Sequence, residues 1–186
     1  MYKHFFKRVI DFTIALVALL VIWPILLIIY IWLTIANKGA GALFCQARPG
    51  LHGRIFKVIK FKTMTDKRDA NGNLLPDADR LTKVGRFVRS TSIDELPQLV
   101  NVLKGDMSLI GPRPELPYFV EQFKEIIPRY MVKHQVRPGI TGWAQVNGLR
   151  GDTSIEKRID YDIYYIENWT LALDIRILIM TAFCMF

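Results

Sequence analysis

Apolar positions crowd the N-terminal end of this chain and thin out after it. From Phe12 to Asn37 no charged residue occurs: FTIALVALLVIWPILLIIYIWLTIAN. Drawn as continuous helix, that stretch reaches about 39 Å, against a bilayer hydrocarbon core of about 30 Å. It is too long and too aromatic for the apolar part of a signal peptide, and no small-residue cleavage site follows it. Pro24 sits near its middle, lacks a backbone donor and collides with the carbonyl of Leu20. A kink or break at Trp23–Pro24 is therefore expected, leaving two arms of about 18–20 Å, each too short to cross alone. Lys3, Lys7 and Arg8 precede the stretch, and Lys38, Arg48, Arg54, Lys57, Lys60 and Lys62 follow it with no acid until Asp66. A simple span stays open on length alone. Basic flanks prefer the cytoplasmic face, and here both ends carry them, which favours a helix–break–helix hairpin dipping into one leaflet. Residues 1–38 thus read as a re-entrant anchor and residues 39–186 as a second domain on the cytoplasmic face.

Beyond the anchor the pattern alternates between short elements. Phe56–Phe61 has the β-branched and aromatic character of a strand. Residues 66–80 are polar and turn-rich, which predicts a surface loop. Residues 115–127 read as helix, as do residues 154–168, where Ile155, Ile159, Ile163 and Ile166 fall near helical spacing. The tail from Trp169 to Phe186 carries only Asp174 and Arg176 as charges. It suits an amphipathic helix on the membrane interface, with packing in the domain core as the alternative. The fold class expected is α+β, mostly helical.

Composition adds two constraints. The chain is 51% hydrophobic yet 23% charged, with a formal net charge of +8. A basic balance points to an anionic membrane surface, anionic substrates or nucleic acid. Nucleic acid fits worst, because the basic residues are interrupted by rigid Gly/Pro loops and the anchor has no role there. Cys45 and Cys184 match no metal or redox spacing and read as small apolar residues in a reducing compartment.

The chemistry concentrates in Arg89-Ser90-Thr91-Ser92-Ile93-Asp94-Glu95-Leu96-Pro97. Ser92 and Glu95 have capping-box spacing, which predicts a helix starting at Ser92 with Asp94 and Glu95 in its first turn, both ionised among free N–H groups. An ionised Asp can attack phosphorus or bind a metal. Lys60, Lys62, Lys83, Arg86, Arg89, Arg113 and Arg137 surround the pair in sequence. Gly111-Pro112-Arg113-Pro114 and Arg137-Pro138-Gly139-Ile140-Thr141-Gly142 would hold arginines on stiff loops, as phosphate capture requires. No P-loop, dinucleotide fingerprint, zinc spacing or histidine-based triad occurs. The residues alone leave three readings open: a transferase on a diphosphate, a membrane-anchored phosphohydrolase, and a basic adaptor on anionic lipid.

The strings FKTM (Phe61–Met64), TSIDELPQLVNVLKGDMSLIGPRPE (Thr91–Glu115) and VRPGITGWAQVNG (Val136–Gly148) together resemble the bacterial sugar transferase family. That family comprises the small monotopic phosphoglycosyl transferases and the catalytic domains of larger polyprenyl-phosphate hexose-phosphate transferases. The resemblance implies a catalytic Asp-Glu dyad at Asp94 and Glu95. The Asp is the nucleophile on the β-phosphorus of a UDP-sugar, releasing UMP and leaving a sugar phosphate that a polyprenyl (undecaprenyl) phosphate then takes up. It implies Mg²⁺ at Glu95, beside Asp94, and a phosphate-binding Arg matched by Arg150, which joins Arg89, Arg113, Arg137, Lys60 and Lys62 of the basic cluster as the phosphate-binding candidates. In small members an Arg directly follows an Asn/Lys-Gly pair; here Asn147-Gly148 is followed by Leu149, and Arg150 comes one place later. Small members often carry Ser before the anchor's Pro, where this chain has Trp23, so another group must stabilise the bend. The stretch GLRGDTSIEKRIDYDIYYIENW is more like the hexose-phosphate branch, which points toward a UDP-hexose. The resemblance further implies the bacterial inner membrane as location, membrane lipid as partner, and later glycosyltransferases as users of the product.

Overall fold

The computed structural model describes residues 2–151 and 153–184, and the side chains of His4 and Cys184 lie outside that description. The expected apolar role of Cys184 therefore falls outside the described residues, whereas Cys45 is a free, exposed thiol.

One π-helical turn, Tyr2–Phe6, leads into helix α1, Lys7–Ala36. At 30 residues it is long and apolar enough to cross a membrane, with a mean hydropathy of 3.0 in its most apolar window. Helix α1 runs through Pro24 as one helix, so the proline does not break it. Proline removes the hydrogen bond its own nitrogen would have made and crowds the Leu20 carbonyl. Packing on either side holds the helix together. Ala15, Ala18, Leu19 and Ile22 join one apolar cluster, and Leu26, Ile29 and Leu33 join another. These positions recur at three- and four-residue intervals, so one stripe of α1 lies along the rest of the protein. The other faces expose Leu20, Val21, Trp23, Ile28 and Ile35.

Strands β1 (Leu43–Pro49) and β2 (Ile55–Phe61) form an antiparallel hairpin, paired from Leu43 opposite Phe61 to Pro49 opposite Ile55. The next segment, residues 66–80, is more than a surface loop. Met64 bridges Leu81, Arg68 bridges Leu74, and the segment ends in the short helix α2, Asp77–Arg80. Helix α3 (Lys83–Ser90) starts at Thr82, whose hydroxyl accepts from the Gly85 N–H at 2.8 Å. This is a side-chain N-cap. Helix α4 (Gln98–Lys104) ends at Gly105, whose φ of +91° supplies the left-handed cap that glycine tolerates best. Strand β3 (Ser108–Ile110) pairs in parallel with β4 (Gly139–Thr141), and helix α5 (Pro117–Ile126) lies between them in sequence. Helices α6 (Trp143–Val146), α7 (Ile155–Glu167) and α8 (Leu171–Cys184) complete the chain. The architecture is mostly helical α+β, as the pattern predicts.

The core gathers around α4 and β3, where Val102, Met107 and Ile110 meet Ala15 of α1, Tyr165 of α7 and Ile177 of α8. A buried polar hub ties the same elements. Asp174 accepts from Tyr2 (2.5 Å), Tyr165 (2.8 Å) and the Trp169 indole (3.3 Å) and pairs with Lys7 at 3.2 Å. Lys7 also pairs with Asp11 (2.8 Å), which accepts from Ser108 at 2.6 Å. Helix α8 buries Asp174 and Ile177 while exposing Leu171, Ile175, Leu178, Ile179 and Phe183. One face of α8 thus packs in the core, as one of the two readings of the tail expects, and the other presents apolar side chains outward.

Candidate active site

Helix α3 ends at Ser90, four residues before Asp94, and that ending sets the pair's position. Ser92 has φ +56° and lies in the left-handed region, with its N–H donating to the Arg89 carbonyl at 3.1 Å. Its carbonyl accepts from the Glu95 N–H at 3.1 Å and opens the next helical turn, as the sequence predicts, but its side chain makes no cap. The predicted capping box is therefore absent. Pro97 explains the rest, since without an N–H it cannot continue an α-helical ladder back to Ile93. The Ile93 carbonyl is taken by Leu96 N–H at 3.1 Å, and residues 93–95 form a tight 3₁₀ turn before α4 begins at Gln98. Asp94 and Glu95 sit on that turn.

Glu95 is gripped by cations from two other elements. Arg113, on the turn after β3, donates Nη2 to Oε1 at 2.5 Å and Nη1 to Oε2 at 3.1 Å. Lys60 of β2 donates Nζ to Oε1 at 2.7 Å. Burial alone would raise the Glu95 carboxyl, but the Arg113 fork and the Lys60 charge outweigh it and hold the group down at about 2. Asp94 differs. Burial and then the Glu95 charge push its carboxyl up, against weaker pulls from Lys60, Arg89 and its own amide. One member of the pair is a salt-bridged anion, and its neighbour is a desolvated, more basic carboxylate. A nucleophile needs that kind of environment.

Asn101 fixes the distance between the dyad and Lys60. Its buried side chain accepts from the Ile59 N–H at 3.0 Å and donates to the Lys57 carbonyl at 2.8 Å, so α4 is stitched to the free edge of β2. Arg48 of β1 donates to the Pro114 carbonyl at 3.2 Å and steadies the turn bearing Arg113. Sequence reading missed both residues. The polar Asn inside the apolar run LVNVL is the signal that could have revealed the first.

An open cavity of about 630 Å³ spreads in front of the dyad. Lys60, Lys62, Arg89, Arg113 and Arg80 bring positive charge to it, and Asp94 and Glu95 form one wall. Arg89 is held by donation to the Thr63 hydroxyl at 3.0 Å, and Lys62 by the Ala40 carbonyl at 3.0 Å and Asp66 at 2.7 Å. Arg80, from the segment expected to be a surface loop, donates to the Thr65 carbonyl at 3.0 Å. Gly85 lets α3 approach this wall, since a Cβ there would stand 1.9 Å from the Thr63 carbonyl oxygen.

Arg137 and Arg150 do not join these residues. Arg137 donates to the Gly105 carbonyl at 2.9 Å, at the C-terminal end of α4, where Arg8 also donates to the Val102 and Leu103 carbonyls. Two cations thus meet the negative end of that helix. The strand register explains the displacement, because Ser108 pairs with Gly139 and Ile110 with Thr141. Arg137 lies just before β4 and so reaches the end of β3 away from Arg113. Arg150 donates to the Gln145 carbonyl at 3.1 Å and lines a separate, apolar cavity of about 210 Å³. Ser92 and Glu95 line both cavities.

Comparison with known proteins decides the family. Residues 2–186 match the family described as bacterial sugar transferase. The chain belongs to the bacterial sugar transferase family. It is 50% identical to the uncharacterized sugar transferase EpsL of Bacillus subtilis (strain 168), over 95% of this chain and 85% of that protein. It is 45% identical to a UDP-glucose:undecaprenyl-phosphate glucose-1-phosphate transferase of Klebsiella pneumoniae, over 96% of this chain but 39% of that protein. A UDP-N-acetylgalactosamine-undecaprenyl-phosphate N-acetylgalactosaminephosphotransferase of Aeromonas hydrophila is 44% identical over 95% of this chain and 43% of its own length. The chain therefore spans under half of the length of these two relatives with named activities.

The acidic pair suits a divalent cation in donor type. Mg²⁺ takes one or two carboxylates and fills its remaining positions with phosphate and water oxygens. Among the described residues no larger cluster of acidic, His or Cys side chains occurs. Glu95 accepts three hydrogen bonds and has one lone-pair position left, and Asp94 stands beside it. Two carboxylates facing a phosphate-sized, cationic cavity fit Mg²⁺ and would fit a softer metal poorly.

Proposed function

We propose that this sugar transferase moves a sugar 1-phosphate from a UDP-sugar to polyprenyl phosphate, at the cytoplasmic face of the bacterial inner membrane. The observation that carries the reading is the desolvated Asp94 carboxylate, set beside a salt-bridged Glu95 at the edge of a cationic cavity. The named relatives act on UDP-glucose or UDP-N-acetylgalactosamine with undecaprenyl-phosphate, which supports the same donor and acceptor classes here.

The chemistry follows from the residues. Lys60, Arg89 and Arg113 offset the charge of the donor diphosphate and let a carboxylate approach it. Asp94 attacks the β-phosphorus, a bond forms from Asp94 to phosphorus, and the bond to the bridging oxygen breaks as UMP leaves. An oxygen of the acceptor phosphate then attacks the same phosphorus and Asp94 departs as a carboxylate. One diphosphate bond is broken and one made. Bound Mg²⁺, held by Glu95 with Asp94, would supply further neutralisation of phosphate charge.

A water-soluble donor and a lipid-borne acceptor meet only at the membrane surface, which gives α1 its role. The same domain touches α1 near both ends, through Arg8 at α4 and through Leu33 beside Phe61 and Val88. This supports a re-entrant placement, with residues 1–38 as an anchor and 39–186 as the catalytic domain on one face of the bilayer. Exposed apolar residues of α8 add a second interfacial element.

The test is incubation with polyprenyl phosphate and a panel of UDP-sugars, following UMP release, with donor-only samples analysed by mass spectrometry. A sugar-phosphate adduct on Asp94 is expected. Product formation without that adduct would overturn the covalent route, product released into water would identify a hydrolase, and full activity in EDTA would remove Mg²⁺.

A further inference from the structure

The smaller cavity has a different chemistry from the donor site it adjoins. Its walls are Leu96 before α4, Leu99 of α4, Leu109 of β3, Ile140 of β4 and Leu178 of α8, with Arg150 as its one arginine. Leu178 belongs at once to this groove and to the outward apolar face of α8. The groove therefore connects the dyad, through Glu95, with the surface most suited to lipid.

A second observation marks it as a binding site. Gln145 is 7% exposed and lines the groove, and its Oε1 has no hydrogen-bond partner while its Nε2 donates to the Ile140 carbonyl at 3.2 Å. A buried acceptor left without a donor is costly unless an ordered water supplies one, and such a water can donate its other hydrogen to a ligand phosphate oxygen. Arg150 is also oriented, by its bond to the Gln145 carbonyl at 3.1 Å. Apolar walls with one fixed cation and an unfilled polar position fit a lipid phosphate better than a nucleotide.

We infer that this groove binds the acceptor lipid, with the phosphate at Arg150 and the first isoprene units against Leu96, Leu99, Ile140 and Leu178. The inference rests on the proposed transferase reading. Donor and acceptor then approach the dyad from two cavities that share Glu95 and Ser92. The acceptor enters from the α8 side, and the bulk of its tail stays in the bilayer.

The experiment separates the two half-reactions. Wild type, Leu178→Trp and Leu178→Glu are each given UDP-sugar alone, to measure the UMP burst, and then polyprenyl phosphate over a concentration range. The expected result is an undiminished burst with the acceptor KM raised at least tenfold in both variants, and more by Glu than by Trp. An unchanged acceptor KM, or a burst lost together with transfer, overturns the groove assignment. No burst in wild type with product still formed defeats the covalent route instead, and no product in wild type defeats the transferase reading. As a readout independent of any substitution, wild type is photolysed with a polyprenyl phosphate carrying a benzophenone at its first isoprene unit. Crosslinks in residues 96–109 and 171–184 are expected; labelling confined to α1 overturns the assignment.

Discussion

Arg113 grips both carboxylate oxygens of Glu95, at 2.5 and 3.1 Å, from a turn 18 residues away in sequence. A planar fork on a carboxylate is the strongest form of this interaction, and lysine cannot reproduce it. Arg113→Lys is expected to lower turnover at least tenfold and to shift the acid limb of the rate–pH profile upward, as Glu95 loses its hold. Stability should respond with a defined sign. Glu95 is depressed from 4.5 to about 2 on folding, so its contribution is complete above about pH 4.5 and is lost as pH falls toward 2. Urea midpoints at pH 3 and pH 6 check this. The wild type should fall more steeply between them than Arg113→Lys does, by up to about 2 kcal/mol.

Asp94→Asn should separate function from stability. The raised Asp94 carboxyl means the folded protein disfavours its charge at neutral pH, and that cost vanishes below the unfolded value of 3.8. Removing the charge should therefore raise the melting temperature at pH 7, while turnover falls by at least about a thousandfold. The stability difference should shrink as pH drops below 4. A variant that melts lower at pH 7 would contradict the desolvated placement of this group.

What the sequence disclosed, and what it hid, divides along local and non-local lines. The strand Ile55–Phe61, the helices Pro117–Ile126 and Ile155–Glu167, and the apolar helix α1 follow from periodicity and propensity along the chain. The dyad and its arginine also stood out, because stiff Gly/Pro turns and adjacent acids are local features. The capping box failed because Ser92 takes a left-handed backbone and opens a tight 3₁₀ turn in place of the extended N-cap residue that a capping box needs. Arg137 was misplaced because a parallel strand register decides which end of β3 it meets, and two three-residue strands leave no periodic trace. Pro24 does not divide α1 because tertiary packing on both sides outweighs one missing hydrogen bond.

Arg137 should behave as a structural residue. Its contact is the Gly105 carbonyl that closes α4, so Arg137→Ala should cost about 1 kcal/mol of stability, typical of one hydrogen bond. The KM for the UDP-sugar should stay within twofold of wild type, whereas Arg89→Ala should raise it. A large rise in donor KM for Arg137→Ala would place it in the cationic cavity after all.

Gly85 tests the approach of α3 to the dyad wall. An added Cβ would meet the Thr63 carbonyl oxygen at 1.9 Å and its carbonyl carbon at 2.7 Å, both backbone atoms with little freedom to retreat. Gly85→Ala gains slightly in helix propensity but forces α3 away from Thr63, the residue that holds Arg89. A net loss of about 2 kcal/mol or more is expected, together with reduced turnover at temperatures where the variant is still folded. Circular dichroism melting paired with UMP release distinguishes the two effects.

The hub at Asp174 offers the sharpest test of how the anchor is joined to the rest of the protein. Asp174 is 3% exposed and holds Tyr2 and Lys7 from the N-terminal segment together with Tyr165 and Trp169. Removing the carboxylate leaves a buried Lys7 with Asp11 as its remaining partner and takes the acceptor from the Tyr2 hydroxyl and the Trp169 indole, so Asp174→Leu should cost about 3–5 kcal/mol. Asp174→Asn keeps a hydrogen-bond acceptor and should cost less. Lys7→Met should be at least as damaging as Asp174→Asn, since it leaves Asp11 and Asp174 unneutralised in the same pocket. Because the hub also ties α7 and α8 to α1, limited proteolysis of Asp174→Leu in detergent should cut first near the N-terminus or near α8. First cleavage within residues 66–80, as expected for the wild type, would mean that the anchor is held by its apolar stripe alone.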